Sequence, residues 1–362
     1  MNRTSRRHTG VCFRLAFLAG CILLAQLGCS DDPSKPDPVR RLPFGVHAVQ
    51  RGGPGGDPLF AEAFDDMSRG GFAWSQLALD WGEAELGFGA FDLGVLGLQV
   101  QQSKRTGVPL SVVIRLIDGP RVPAFPSDLE GQGLSSPNVR VRFPSFVRLV
   151  VERGQGQISQ LWIGRAVDQR LASHPEEIGA FSDLVTLAAD SAHVVQSDLP
   201  IGTSFTYTGG GTPAGLDELE PGLDLLGWVV LPLDAGYEPA LAPADAVELV
   251  REAVALRPDK PTVVTEVGYP RVGGDAQADE FLERFHRYLE GSPSQLLGVT
   301  WFGLFDWYAT AADARASVVH PDDEEAAADY AAWLRASGLG QVTGVPTALW
   351  FRATDWNTAA LP

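Results

Sequence analysis

Cysteine is nearly missing from this chain. Its 362 residues include three, Cys12, Cys21 and Cys29, all within the first thirty positions. The body of the chain therefore has no internal disulfide, no thiolate zinc cluster and no thiol nucleophile. Basic residues are also scarce, with 28 Lys and Arg against 45 Asp and Glu and a net charge of −17. Phosphate backbones are held by clustered Lys and Arg, and no basic stripe runs through the body, so nucleic acid is excluded as a partner. His47, His174, His193, His286 and His320 are scattered, with no pair at metal-ligand spacing, so no metal is expected. A G-x-S-x-G elbow for serine hydrolysis is missing too. The stretch Arg51-Gly-Gly-Pro-Gly-Gly56 is interrupted by proline and does not lead straight into a helix, so it reads as a loop. No cofactor is expected. What the chain does have is apolar residues, 45% of the total against 20% charged, enough for a sizeable core.

The N-terminus reads as an export signal. Arg3, Arg6, Arg7 and Arg14 form a basic region, and Leu15 to Leu27 is almost wholly apolar. That run is shorter than the ~20 residues a membrane span needs. Gln26-Leu-Gly-Cys-Ser30 follows and resembles a bacterial lipoprotein signal, with cleavage before a lipidated Cys29. Gln26 departs from the pattern, which usually has an aliphatic residue there. Ser30 resembles outer-membrane sorting. The expectation is a signal peptide over 1–28, a proline-rich tether over 29–40 and a folded domain over 41–362. The resemblance places the domain in the cell envelope, with the membrane as partner through the anchor at Cys29.

From residue 43 onward, strand-like and helix-like stretches alternate. The strands expected are Pro43–Val49, Phe72–Leu79, Leu110–Leu116, Gln160–Gly164, Ile201–Thr206, Leu225–Leu231, Thr262–Gly268 and Leu297–Phe302. Several are continuous apolar runs, as in parallel strands buried on both faces. Helical spacing marks Leu59–Arg69, Leu93–Arg105, Ser145–Arg153, Glu176–Ser197, Ala244–Leu256, Asp275–Glu290 and Asp323–Ala336, with a weak turn at Leu216–Leu219. Asp118 to Val141 reads as a long loop. Eight such units predict the α/β class, a (β/α)8 TIM barrel in a single domain, with chemistry at the C-terminal ends of the strands.

The motifs lie at those ends. Glu266, in Thr262-Val-Val-Thr-Glu-Val-Gly268, closes the seventh strand. An unpaired buried carboxylate is costly, so Glu266 is expected in the barrel mouth, paired or used. This strand resembles the nucleophile strand of the large clan of retaining glycoside hydrolases (clan A, endo-glycanase-like). Trp74 to Trp81, with Glu85 and Asp92, resembles the clan's second strand. Trp301-Phe-Gly-Leu-Phe-Asp-Trp307 resembles its eighth, where a tryptophan floors the sugar pocket. The resemblance implies a poly- or oligosaccharide partner, with Trp301, Trp81, Arg165, Asp168, Gln76 and Asp306 as substrate-binding candidates. Trp162, Trp228 and Trp350 read as packing residues instead.

The fourth strand departs from the clan. Leu161-Trp-Ile-Gly-Arg-Ala-Val-Asp168 aligns with a segment reading Ile-Gly-Asn-Glu there, so Arg165 replaces a substrate-holding Asn and Ala166 replaces the acid/base Glu. Retaining hydrolysis needs two carboxyl groups about 5 Å apart. Alanine transfers no proton, and losing general acid catalysis costs ~10²–10⁴ in rate. Arg165 could instead pair with Glu266 and block its use as a nucleophile. Three readings follow: a carbohydrate-binding pseudoenzyme, an active glycosidase or transglycosidase with an acid relocated to Asp168, Asp118 or Asp306, or a structural lipoprotein.

Overall fold

A computed structural model describes residues 42–47, 57–121, 125–271, 274–306, 309–340 and 347–358. The signal peptide, the tether, Cys29, the Arg51–Gly56 loop and Trp307 lie outside the described residues. No described helix is long and apolar enough to cross a membrane.

Eight parallel strands close on themselves in chain order, each hydrogen-bonded to the next and the last to the first. They are β1 (Phe44–His47), β2 (Ser75–Asp80), β3 (Leu110–Asp118), β4 (Ile158–Arg165), β5 (Ile201–Thr206), β6 (Leu225–Val230), β7 (Thr262–Val267) and β8 (Leu296–Trp301). The outer layer includes α1 (Asp57–Arg69), α2 (Gly94–Thr106), α3 (Pro137–Gly154), α4 (Ile178–His193), a single turn α5 (Leu216–Leu219), α6 (Pro243–Ala255) and α7 (Ala276–Glu290). This is the (β/α)8 TIM barrel. Its strands are short of polar residues because both faces are covered, by helices outside and by side chains inside.

Two tryptophans fill the barrel interior. Trp74 donates its indole N–H to Thr300 Oγ1 at 3.0 Å, and Trp162 donates to Ser111 Oγ at 3.1 Å. They form a separate inner cluster with Val113, Leu225 and Val263. Such rings fit only because the facing strands carry glycine. A Cβ on Gly298 would stand 2.3 Å from the Trp74 ring, and one on Gly202 would stand 2.5 Å from the Trp162 ring. The larger core lies outside the strands, where Phe143, Phe181, Phe281 and Trp228 are fully buried under the helices.

Three expectations need correction. Helix α3 starts at Pro137, eight residues before the Ser145 expected, so the loop after β3 is correspondingly shorter. Pro144 lies within the helix, buried beside Phe143 and Phe146. Helix α4 is shorter than expected, ending at His193. The Glu324–Leu334 helix is not the eighth helix of the outer ring. It pairs with an unanticipated helix, giving α8 (Ala309–Val319) and α9 (Glu324–Leu334) as an insertion after β8. The ring is instead closed by α10 (Ala348–Thr358). Its Trp356 stacks on His286 of α7 at 4.6 Å, and its Arg352 forks onto Asp279 at 2.6 and 2.9 Å.

The tight fit around Trp74 makes a prediction. Gly298→Ala should cost about 1–3 kcal/mol, the usual penalty of overpacking, read as a lower urea midpoint at unchanged slope. An unchanged midpoint would mean that the ring has room to move.

Candidate active site at the barrel mouth

A backbone irregularity aims Glu266. Along β6, Trp228 faces Val264 but the next residue, Val229, faces Glu266, so Thr265 is skipped in the pairing. The β8 side shows a shift over the same stretch, from Val299 opposite Val264 to Trp301 opposite Val267. Val263 belongs to the inner cluster, whereas Val264 and Val267 belong to the outer core. Strict alternation would place Glu266 on the outer face. The extra residue resets the alternation and turns its carboxylate into the mouth, a common use of bulges near active sites.

Both oxygens of that carboxylate are engaged. Arg165, ending β4, donates Nε to Oε1 at 2.6 Å and Nη2 to Oε2 at 2.5 Å. The parallel fork is the strongest form of a side-chain ion pair. The remaining guanidinium nitrogen, Nη1, donates to Asp118 Oδ1 at 3.0 Å. Asp118 ends β3, and its other oxygen receives Nη2 of Arg315 at 3.2 Å and lies 3.6 Å from Nη1 of Arg115. Arg115 in turn donates to Asp80 at 2.5 Å, where β2 ends. Three carboxylates and three guanidiniums thus form one connected network across the mouth. Burial pushes the Asp118 carboxyl up, but Arg165, Arg115 and Arg315 outweigh it and hold the group below its ordinary range. Asp118 is therefore ionised and has no proton to give. His47, ending β1, is driven down to about 4 by burial and then by the same three arginines, so it is neutral at pH 7.

Ala166 follows Arg165 directly. It is 2% exposed and adopts a left-handed backbone at φ +49°. A non-glycine residue there costs of order 1–2 kcal/mol. The turn sends the chain into the short helix Asp168–Ser173. Asp168 accepts the backbone N–H of Thr206 at 2.6 Å, tying this turn to the end of β5. Burial raises its carboxyl to about 6, against the pull of that hydrogen bond.

Several candidates are displaced from the mouth. Trp301 is fully buried, facing out of the barrel against Phe281 and Phe44, with its indole N–H on the Ser337 carbonyl at 3.3 Å. It offers no face to a sugar. Trp81 is 1% exposed among Phe125, Phe143 and Phe146, and donates to Glu85 at 2.7 Å. Asp306 is held by both oxygens on Arg271 and accepts the Gly338 N–H at 2.9 Å, so its work is to fix the chain after β8. Gln76 lies beside His47 in register, 3% exposed, and its Oε1 has no hydrogen-bond partner among the described residues. Alternation alone could not separate inward from outward tryptophans, because both kinds lie on apolar strands.

Other residues at this end had no clear signal. The α8–α9 insertion brings Arg315 to Asp118 and supplies Tyr330, Trp333 and His320. These pack on Tyr237, from the loop after β6, whose hydroxyl lies 2.6 Å from His320 Nε2. A hairpin of Glu85–Gly87 and Ala90–Phe91 follows β2 and carries Phe88, 81% exposed, into solvent. Its base is pinned by Glu85, which accepts from Arg142 at 2.6 Å. Among the described residues, no three His, Cys, Asp or Glu side chains converge to hold a metal ion.

Neither a family model nor a curated protein matches this chain. Solved structures share its fold. An exo-β-1,4-mannosidase from an Opitutaceae bacterium superposes with a TM-score of 0.68 at 15% identity, over 89% of this chain and 60% of that one. GH5_18 from Bifidobacterium longum subsp. longum, in complex with Manβ1-4GlcNAc, gives 0.67 at 15% identity over 88% and 78%. GH5_18 from Streptomyces cattleya, in complex with GlcNAc, gives 0.67 at 15% identity over 89% and 81%. The barrel therefore has the glycoside-hydrolase-like fold of these GH5 neighbours, and identity this low speaks for the fold alone.

The network predicts a characteristic stability pattern. Arg165→Met leaves Glu266 buried without its fork and should cost about 3–5 kcal/mol. Adding Glu266→Gln should restore much of the loss, because the amide carries no charge to strand. Urea unfolding of the two single variants and the double variant reads the coupling, and strict additivity would mean that the two side chains do not act as a pair.

Proposed function

We propose that this chain is a carbohydrate-binding, glycoside-hydrolase-like lipoprotein of the cell envelope in which hydrolysis has been lost. The observation that carries this reading is the Arg165 fork on both oxygens of Glu266. A nucleophile needs a lone pair aimed at the sugar, and the two-pronged guanidinium contact holds both oxygens toward Arg165 and stabilises their charge, which lowers their nucleophilicity. The partner carboxyl is missing as well, since Ala166 stands at the position that aligns with the acid/base. Carbohydrate as ligand is supported by the shared fold with GH5_18 in complex with Manβ1-4GlcNAc and by polar side chains converging at the mouth. The exposed Phe88 ring at the same end of the barrel suits stacking on a sugar face. Attachment through Cys29 and an outer-membrane location rest on the N-terminal sequence.

A competing reading, an active glycosidase with a relocated acid, has one observation in its favour, the raised carboxyl of Asp168. Its oxygen is committed to the Thr206 N–H, which favours the ionised form.

Activated substrates separate the two. Dinitrophenyl glycosides need no general acid, and azide can replace a missing base in the second step. The domain beginning at residue 30 should bind glycans in titration calorimetry yet release no dinitrophenol, with or without azide. A burst that azide accelerates and Glu266→Ala abolishes would reveal a live nucleophile. Steady turnover indifferent to azide would reveal a working relocated acid. Either result would overturn the proposal.

A further inference from the structure

The charged groups of the mouth satisfy one another. Open space lies on the outer layer as well, in a groove of about 610 Å3 between α2, α3 and the hairpin that follows β2. Sites for small ligands run from roughly 300 to 1,000 Å3. The groove starts at the hairpin, beside Phe91, and reaches Gln155 at the far end of α3.

Its lining is amphipathic. Leu93, Val100 and Leu149 give an apolar floor, and the Phe91 ring stands at the hairpin end, 39% exposed. That ring lies at 19° to the buried Phe146, with 6.2 Å between centroids, so the core fixes its plane. Three polar side chains edge the floor. Asp92 gives Oδ1 to the Gly94 N–H at 3.0 Å, and its Oδ2 has no hydrogen-bond partner among the described residues. Gln155 gives Oε1 to Lys104, which leaves its amide N–H groups to donate. Arg153 is exposed in the last turn of α3, and its guanidinium has no hydrogen bond or ion pair among the described residues. A carboxylate oxygen, a guanidinium and an amide are thus uncommitted around one aromatic ring. The ring suits the C–H face of a pyranose, and the planar polar groups suit its hydroxyls. A wholly apolar partner would strip water from those groups and return no hydrogen bond.

Glycine keeps the groove open. Gly94 and Gly97 stand in the first turns of α2, on the groove wall. Glycine is less favourable than alanine inside a helix. Packing does not require it at position 97, where a Cβ would meet no atom within 4 Å and the backbone is not left-handed. A side chain there would take up space in the groove.

We infer that the α2–α3 groove is a second carbohydrate site, separate from the mouth, that takes a short neutral oligosaccharide. Phe91 is its platform, and Asp92, Arg153 and Gln155 hold the hydroxyls. This rests on the carbohydrate reading above and adds a place on the outer wall where a glycan is held without entering the barrel. Arg153 and Asp92 balance in charge, which is why the ligand is neutral.

The test is affinity electrophoresis of the domain beginning at residue 30, in native gels containing soluble mannan, hydroxyethylcellulose, xylan or laminarin. Gly97→Leu fills the groove and Arg153→Met removes the free guanidinium. At least one polysaccharide should retard the native domain, and each variant should weaken its apparent Kd at least fivefold. Gly97→Ala, which adds a single methyl, should lose less. Leucine favours a helix over glycine, and Arg153 leaves no partner stranded. Both variants should therefore keep the native unfolding midpoint to within a few degrees, which checks the fold. Retardation undiminished in both variants overturns the inference and leaves the carbohydrate reading standing at the mouth. A native dimer in size-exclusion chromatography that Gly97→Leu splits, with retardation unchanged, assigns the groove to a second copy of the chain and overturns it too. No retardation in any gel overturns both readings.

Discussion

The site depends on one interaction, the two-pronged contact of Arg165 with Glu266. A carboxylate at the end of a buried strand is too costly to leave alone. Here the Arg165 guanidinium meets that cost, and the rest of the network at the mouth is built on the pair. Arg165 needs a second acid for its third nitrogen and takes Asp118. Asp118 then draws Arg115 and Arg315, and through Arg315 it ties the α8–α9 insertion to the barrel. Buried ion pairs are weak devices for raising stability, because desolvation offsets much of their attraction. Their better use is specificity of structure, and this network fixes four strand ends and one insertion in a single arrangement.

The scaffold beneath is independent of this. Trp74 and Trp162 fill the interior, each with its indole N–H satisfied by a hydroxyl of another strand. The glycines facing them decide which rings fit. The floor of the mouth is therefore rigid, and residues at the strand ends can change without disturbing the packing below. That separation is how one barrel hosts many functions.

Much of the fold was legible in the sequence because parallel strands are short apolar runs between amphipathic helices. All eight strands lie where those runs lie, with ends shifted by a few residues. The failures have physical causes. Helix α3 begins at Pro137, inside the stretch that reads as a loop, and carries Pro144 in its interior. The Ala-rich Ala309–Val319 segment has almost no apolar stripe, so nothing marked it as a helix. At the site, charge was readable and direction was not. Glu266 and Arg165 stand out because ions on buried strands need partners. Trp301 and Trp81 do not reveal their facing, since Trp301 alternates outward with Val299 on a strand apolar on both faces and Trp81 lies in the turn after Asp80.

The central claim is that Arg165, and not the barrel, keeps Glu266 from reacting. The most direct measurement is mass-spectrometric detection of a covalent adduct from a panel of activated 2-deoxy-2-fluoro glycosides, which trap a competent nucleophile without needing an acid. The account predicts no adduct on the native domain, and an adduct on the peptide containing Glu266 once Arg165→Asn opens the fork. Labelling of the native domain at the rate of the variant would contradict it, because the fork would then be no obstacle to chemistry.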